Sequence, residues 1–455
     1  MFDINLCFAI RDLLMRYSSR NYYLSVIMAT LISCFFSNQA SAHAIKHSSP
    51  VIAAYYPDWK VYTPKTPYSA NMLPVNDLTH VIYAFLAVCG PVDASPDNIK
   101  KIMKTQCKNK PIGTAIILDD YAALQIKLKG KTSSKVGYHG NFGQLKLLSD
   151  ENPNLSILPS FGGWTLSEPF HTVALNDKYR KTFVDSAIKL IRKYDFFDGI
   201  QIDWEYPGGH GLSGLGIDNV DNERLAYTKL IHELRTQLNT LGIKNKRTYQ
   251  LSAAVNGAPK TLPGIDWKKV SQDLDQIFLM SFDFLGSWGP TVGHHSNLYS
   301  TPLTPDDMSV DSQVNSLLKH GVDRKKIIIG SPFYGRGWKG VDNASADKLE
   351  GLSSKGTMDK GSDIADPGYF NYSDIVKYLI NNKKMGYQYY YDEKAEAAVL
   401  FSQKKNEYIS FEDKRSLQAK VDYVKKHQLG GVFGWEATSD HNHELIKLLS
   451  KSFKQ

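Results

Sequence analysis

From residue 51 onward the chain alternates short runs rich in β-branched and aromatic residues with longer stretches patterned for helices. Strand, helix, strand in that order argues for parallel pairing through crossover helices. The strand-like runs are Val51 to Tyr55, Leu78 to Val88, Leu155 to Phe161, Phe197 to Glu205, Tyr249 to Val255, Gln276 to Phe284, Lys326 to Phe333 and Gly431 to Glu436. Between them, Phe183, Ala187, Ile188 and Ile191 recur at helical spacing, as do Leu225, Leu230, Ile231, Leu234, Leu238 and Leu241 before Gly242, and Val314, Leu317 and Leu318. Further helices are expected over 411–427 and at the C-terminus. Eight such units are the count of an α/β (β/α)8 TIM barrel, which is the fold predicted.

One segment, 339–400, breaks the rhythm with Gly356, Gly361, Gly368 and the cluster Tyr387, Tyr389, Tyr390 and Tyr391. It reads as a small α+β insertion between the seventh strand and the helix that follows. No repeat or Pro/Ser/Thr linker divides the chain, so 43–455 is expected to be one barrel domain. With 42% hydrophobic and 22% charged residues, a chain of 455 residues can bury a core of that size.

The first 42 residues read differently. Arg11, Arg16 and Arg20 precede the apolar run Tyr23 to Phe36 and the small-residue site Ala40-Ser41-Ala42. That is the pattern of a secretion signal over 1–42 and implies a secreted or periplasmic protein; lipidation at Cys34, within Leu31-Ile32-Ser33-Cys34, is the alternative. The run is shorter than the ~20 apolar residues that span a bilayer. Cys89 and Cys107 remain in the mature chain, and export points to a disulfide between them. The net charge of +8 comes without a basic cluster, which excludes nucleic acid as the expected partner.

Within this frame, Phe197 to Pro207 stands out. Alternate side chains of a strand face opposite ways, so Gln201, Asp203 and Glu205 share one face and Ile200, Ile202 and Trp204 the other. Carboxylates crowded on a strand backed by apolar groups raise one another's pKa, as a general acid working near neutral pH requires. Glu205, nearest the strand end, is the candidate acid.

Barrel active sites lie at the C-terminal strand ends. There this chain places Trp59, Gly162-Gly163-Trp164, Asp203 and Glu205, Met280 to Asp283, Tyr334 with Arg336, and Trp435. Aromatic rings suit the C–H faces of sugars, while carboxylate, amide and guanidinium groups suit their hydroxyls.

These residues carry a resemblance. The chain resembles the family 18 glycoside hydrolases over roughly residues 50 to 450, and among them the bacterial chitinases with an α+β insertion late in the barrel. The fourth-strand signature Asp-x-x-Asp-x-Asp-x-Glu reads Asp198-Gly-Ile-Gln201-Ile-Asp203-Trp-Glu205. Ser160-Phe-Gly162-Gly163 matches the third strand, Met280-Ser-Phe282-Asp283 the sixth, and Trp435 the eighth.

The resemblance implies hydrolysis of β-1,4-linked N-acetylglucosamine by a substrate-assisted retaining mechanism. Glu205 would be the acid, Asp203 would orient the acetamido group, and Asp283 would hydrogen-bond the sugar. Tyr55, Trp59, Gly162, Gly163, Trp164, Thr165, Gln201, Tyr206, Met280, Phe282, Trp288, Tyr334, Arg336 and Trp435 would bind substrate. It implies no cofactor or metal, chitin or its oligosaccharides as partner, and a monomer. An endo-β-N-acetylglucosaminidase acting on N-glycans and a weakly active chitin-binding lectin share the fold and stand as alternatives.

Two positions depart from the family pattern. Gln201 stands where a middle aspartate is expected, and Phe282 where a tyrosine hydroxyl would support the acetamido oxygen. Gln201 is expected to donate to Asp203 without sharing a proton with it. Elsewhere, Gly209-x-Gly211-x-x-Gly214 and Gly335-x-Gly337-x-x-Gly340 match a dinucleotide fingerprint, but neither opens a helix after its strand, so no nucleotide is expected. Asp440, His441 and His443 fit no standard metal-ligand spacing, and His294-His295 is read as loop.

Overall fold

The computed structural model describes residues 50–454 apart from 65–66, 134–135, 303, 343–351, 359–360, 363–365 and 381. The signal read at 1–42, with Cys34, lies outside the described residues.

Eight parallel strands form the centre: Val51–Pro57, His80–Val88, Ser156–Gly162, Gly199–Asp203, Gln250–Val255, Gln276–Leu279, Ile327–Pro332 and Gly431–Trp435. Each pairs with its neighbour in sequence, and the first is bonded to both the second and the eighth, so the sheet closes into a barrel. The two-residue period divides the strands between two cores. Val51, Ala53, Tyr55, Ile82, Ala84, Leu158, Ala254, Phe278, Ile328 and Phe433 fill the interior. The intervening Ile52, Val81, Ile157, Ile200, Ile202, Leu251, Ile277 and Val432 pack outward in the larger core beneath the helices.

The helical spacing reads correctly for Asp177–Lys193, Val310–Lys319, Lys414–His427 and Glu444–Lys454. Two details of Val220–Asn245 differ from expectation. Leu225 is 54% exposed, because the buried stripe is carried by Ala226, Tyr227, Leu230 and the residues after them. The helix also continues past Gly242 to Asn245 and turns at Lys246, whose φ is 52°. Gly242 serves instead the close return of the chain, since a Cβ there would lie 2.5 Å from the carbonyl of Arg247.

After the second strand come the helix Asp97–Gln106 and the short antiparallel strand Ala115–Ile117. A disulfide joins Cys89 to Cys107 and closes the loop that holds the helix.

The second sheet is antiparallel and comprises Tyr334–Asp342, Ser353–Thr357, Tyr369–Asn371, Gln388–Asp392, Ala397–Ser402 and Glu407–Phe411. It is wider at both ends than 339–400. Tyr334 to Trp338 resemble a continuation of the seventh strand, and Glu407–Phe411 runs directly into the N-cap of the next helix, so neither end carries a local boundary signal. Separate apolar clusters cover the two faces, one with Phe370, Ile375, Leu400 and Ile409, the other with Trp338, Val341, Val399 and Tyr408.

Candidate active site

The fourth strand shows the expected alternation. Ile200, Ile202 and Trp204 are in the outer core, while Gln201 and Asp203 are buried toward the barrel axis. Regular pairing ends where Gly162 meets Asp203, and Glu205 lies just beyond, partly exposed at the mouth.

The third strand fixes the backbone here. Gly162 and Gly163 have φ of 114° and 85°. A Cβ on Gly162 would lie 2.1 Å from the Asp203 carbonyl, and one on Gly163 2.6 Å from the Phe85 ring, so the close approach demands glycine at both. The Gly163 N–H donates to the Asp203 carbonyl at 2.8 Å. Ser167 Oγ lies 2.9 Å from the same carbonyl and accepts from the Glu205 N–H at 3.0 Å. The main chain is thereby held, yet Asp203 Oδ1 is buried with no hydrogen-bond partner among the described residues.

That environment sets the protonation of the pair. Burial, and next the charge of Glu205, push the Asp203 carboxyl well above the usual carboxylate range. Burial pushes Glu205 up to about 7; a hydrogen bond from Tyr206 opposes the shift and the charge of Asp283 adds to it. The pair holds a proton at neutral pH.

Asp283 shows the opposite balance. Met280 to Asp283 lie past the end of the sixth strand at Leu279, and Asp283 has φ of 55°. Burial works against its charge, but Arg336 outweighs burial, donating from Nε at 2.9 Å and Nη2 at 2.8 Å, so the carboxyl sits below its ordinary value. Arg336 comes from the second sheet. It also bonds Asp366 at 2.6 Å and lies over the rings of Tyr334, Trp288 and Tyr369 at 5.1, 5.4 and 5.5 Å.

Gln201 does not reach Asp203 as expected. Its Oε1 accepts from Tyr55 Oη at 2.6 Å and its Nε2 donates to Ser252 at 3.2 Å. Two flanking partners on the barrel floor satisfy the amide, and Ser160 Oγ, opposite it in register, is left without a partner. Phe282 packs edge-on to Tyr334 and Phe433, and a Cβ on Gly330 would meet its ring at 2.6 Å.

Trp435 forms an aromatic floor with Tyr55 at 5.1 Å and Phe85 at 5.8 Å, the latter stacked. Phe85 in turn stacks on Trp59 at 6.2 Å, which extends the surface outward. Trp59, Trp164 and Trp288 are exposed, and Thr165 is partly so. Tyr206 sits beside Glu205, and Met280 packs against the interior cluster.

Sequence reading missed Phe85, Ser167, Asp366, Tyr369 and His295. His294-His295 lies in a loop, as read, but both rings are fully buried. His294 Nε2 lies 3.0 Å from Asp392, and His295 Nδ1 3.6 Å from Asp283. The pair fills the junction of barrel and second sheet, which no local spacing announces. His443 meets Tyr68 Oη at 3.0 Å, and no cluster suited to a metal ion occurs among the described residues.

A proton-holding carboxylate pair beside an ionised aspartate, on an aromatic floor at the C-terminal end of a (β/α)8 barrel, is the equipment of an enzyme that cleaves sugars. The sequence profile of the glycosyl hydrolases family 18 matches residues 51–440, and the chain belongs to that family. It is 35% identical to a chitinase of Autographa californica nuclear polyhedrosis virus over 417 residues, 90% of this chain and 73% of the relative. It is 32% identical to chitinase A of Pseudoalteromonas piscicida over 428 residues, 86% of this chain and 51% of the relative. Among solved structures, a Bacillus thuringiensis chitinase aligns with a TM-score of 0.77 and 29% identity, covering 90% of this chain and 70% of that one.

Proposed function

We propose that the chain is a chitinase that hydrolyses β-1,4-linked N-acetylglucosamine in chitin or chitooligosaccharides, with retention of configuration. The observation that carries this reading is the buried, unpartnered Asp203 Oδ1 beside a Glu205 whose pKa is pushed up to about 7. An orphaned acceptor in a buried site is costly unless a ligand supplies the donor. The N–H of an N-acetyl group is such a donor.

In this mechanism Glu205 gives its proton to the glycosidic oxygen as the bond to the anomeric carbon breaks. The acetamido carbonyl oxygen attacks that carbon from the opposite face, and Asp203 holds the acetamido nitrogen. The Glu205 carboxylate then takes a proton from the water that opens the cyclic ion, which restores both acid and acetamido group. Asp283, kept ionised by Arg336, accepts a hydrogen bond from the bent sugar, and Trp435 supports its face. The chitinase names of the relatives favour this reading over N-glycan release or sugar binding without cleavage.

The Cys89–Cys107 disulfide supports the export read from the N-terminal residues, because such bonds persist in oxidising compartments. The deciding experiment is turnover of chitotetraose by the native protein and by Glu205→Gln. Cleavage by the first and not by the second is expected; equal, negligible cleavage by both with tight binding would turn the reading into that of a lectin.

A further inference from the structure

The tyrosine cluster of the insertion takes no part in the cleft described above. Gln388–Asp392 is an end strand of the second sheet, pairing with Ala397–Ser402. Tyr387, Tyr389 and Tyr391 alternate with Gln388 and Tyr390, so their rings share one face at intervals of about 6.8 Å. Each hydroxyl is anchored on a carboxylate: Tyr387 on Glu407, Tyr389 on Asp413 at 2.7 Å and Tyr391 on Glu396 at 2.6 Å. Tyr387 and Tyr391 pack on the apolar cluster with Phe370 and Leu400 and carry Lys405 and Arg415 over their rings, at 4.8 and 3.7 Å, so Tyr389, 43% exposed, presents the open ring.

The row runs into a groove. Arg415 lies 3.7 Å from the Tyr391 ring, and Arg415 and Glu396 both line a depression of about 520 Å³ with Leu298, Tyr299, Gln418 and Tyr423. Asp422 and Lys426 close it, so two carboxylates balance two cations. That volume is in the range of small-molecule sites. The balanced charge disfavours an anionic or cationic ligand, and the mixture of aromatic edges, amide and charged hydrogen-bonding groups suits a neutral chain bearing hydroxyls and amides. These are the group types that line the catalytic cleft.

We propose that the open Tyr389 ring and the groove beside it form a second binding surface for a neutral β-1,4-linked N-acetylglucosamine chain, separate from the cleft. The substrate class rests on the chitinase reading above. The surface would hold the enzyme on an insoluble polymer while the cleft works on a single chain, raising the effective concentration of substrate at the cleft.

Two variants outside the catalytic machinery test this independently: Tyr389→Ala, which removes the exposed ring, and Gln418→Trp, which fills the groove from the helix side. Adsorption to insoluble chitin is measured for each beside turnover of insoluble chitin and of chitotetraose, with thermal unfolding as the check on folding. Each variant should adsorb about fivefold more weakly and degrade insoluble chitin more slowly, with chitotetraose turnover and unfolding temperature unchanged. Native adsorption in both folded variants overturns the surface. An equal fall on soluble and insoluble substrate in both also overturns it, since the substitutions would then act through the cleft. Failure of the native protein to cleave chitotetraose would count against the chitinase reading alone, because the adsorption comparison needs no turnover.

Discussion

Two carboxylate environments face each other across one cleft and are built on opposite terms. At the end of the fourth strand, Asp203 is buried and Glu205 half-buried, neither paired with a cation among the described residues, and both are driven toward the protonated form. Beyond the sixth strand, Asp283 is half-buried and gripped by the two-pronged guanidinium of Arg336, and it stays ionised. Desolvation opposes the charge at both Glu205 and Asp283, and the fixed cation reverses it at Asp283 alone of the two. The barrel supplies the proton-holding pair, and the second sheet supplies the cation that holds the third carboxylate charged.

Substitutions at four positions sharpen or break that contrast, taken from the largest expected effect. Glu205→Gln should lower kcat on a chitooligosaccharide by about a thousandfold, within the span of general acid catalysis. The same variant reports on the environment through stability. The native carboxyl has its pKa raised from 4.5 to about 7 on folding, so the stability it contributes is complete below 4.5 and is lost as pH rises through 7. The variant should therefore unfold at a higher temperature than the native protein at pH 8, with the gap narrowing at pH 4. A gap independent of pH would remove the dry-site account of Glu205.

Arg336→Ala should cut kcat/KM by about a hundredfold, through the lost charge on Asp283. With Arg336 present, the folded pKa of Asp283 is lowered, so its contribution to stability is present at neutral pH and is lost as pH falls through that lowered value. In the variant, the acid limb of kcat/KM should move to higher pH. Arg336→Lys should restore the position of the limb more fully than the rate, because an ammonium supplies the charge without the fork. An unmoved limb in both would mean that Asp283 does not owe its ionisation to this partner.

Phe282→Tyr should raise kcat by about tenfold, less than the full worth of a preorganised donor, because Gly330 crowds the ring. The smallest effect is expected from Gln201→Asp. It should change the rate at the optimum by less than about threefold but alter the pH profile, since a third carboxylate beside Asp203 adds a proton site. Identical profiles would show that position 201 is insulated from the pair by Tyr55 and Ser252, the partners that the amide has now.

Much of this site was legible because it depends on local periodicity. The alternation of Gln201, Asp203 and Glu205 against Ile200, Ile202 and Trp204 follows from one strand, and the eight-fold rhythm follows from strand and helix patterns. What could not be read joins residues distant in sequence. Phe85 completes the floor between Trp59 and Trp435 only because barrel closure brings the first, second and eighth strands together. His295 reaches Asp283, and Tyr369 and Asp366 reach Arg336, through the docking of the second sheet. The direction of the Gln201 amide was missed for the same reason: Tyr55 and Ser252 lie 146 and 51 residues away and compete successfully with a carboxyl two positions along.

Arg336 belongs to Tyr334–Asp342, a strand held between Ser353–Thr357 and Glu407–Phe411. The anion at Asp283 therefore depends on a sheet that lies outside the barrel's own repeating units. A barrel whose second sheet was excised or exchanged for another would keep Glu205 and Asp203 in place while losing the cation beside Asp283. Shuffling that sheet would then shift the ionisation of Asp283 as one inherited module.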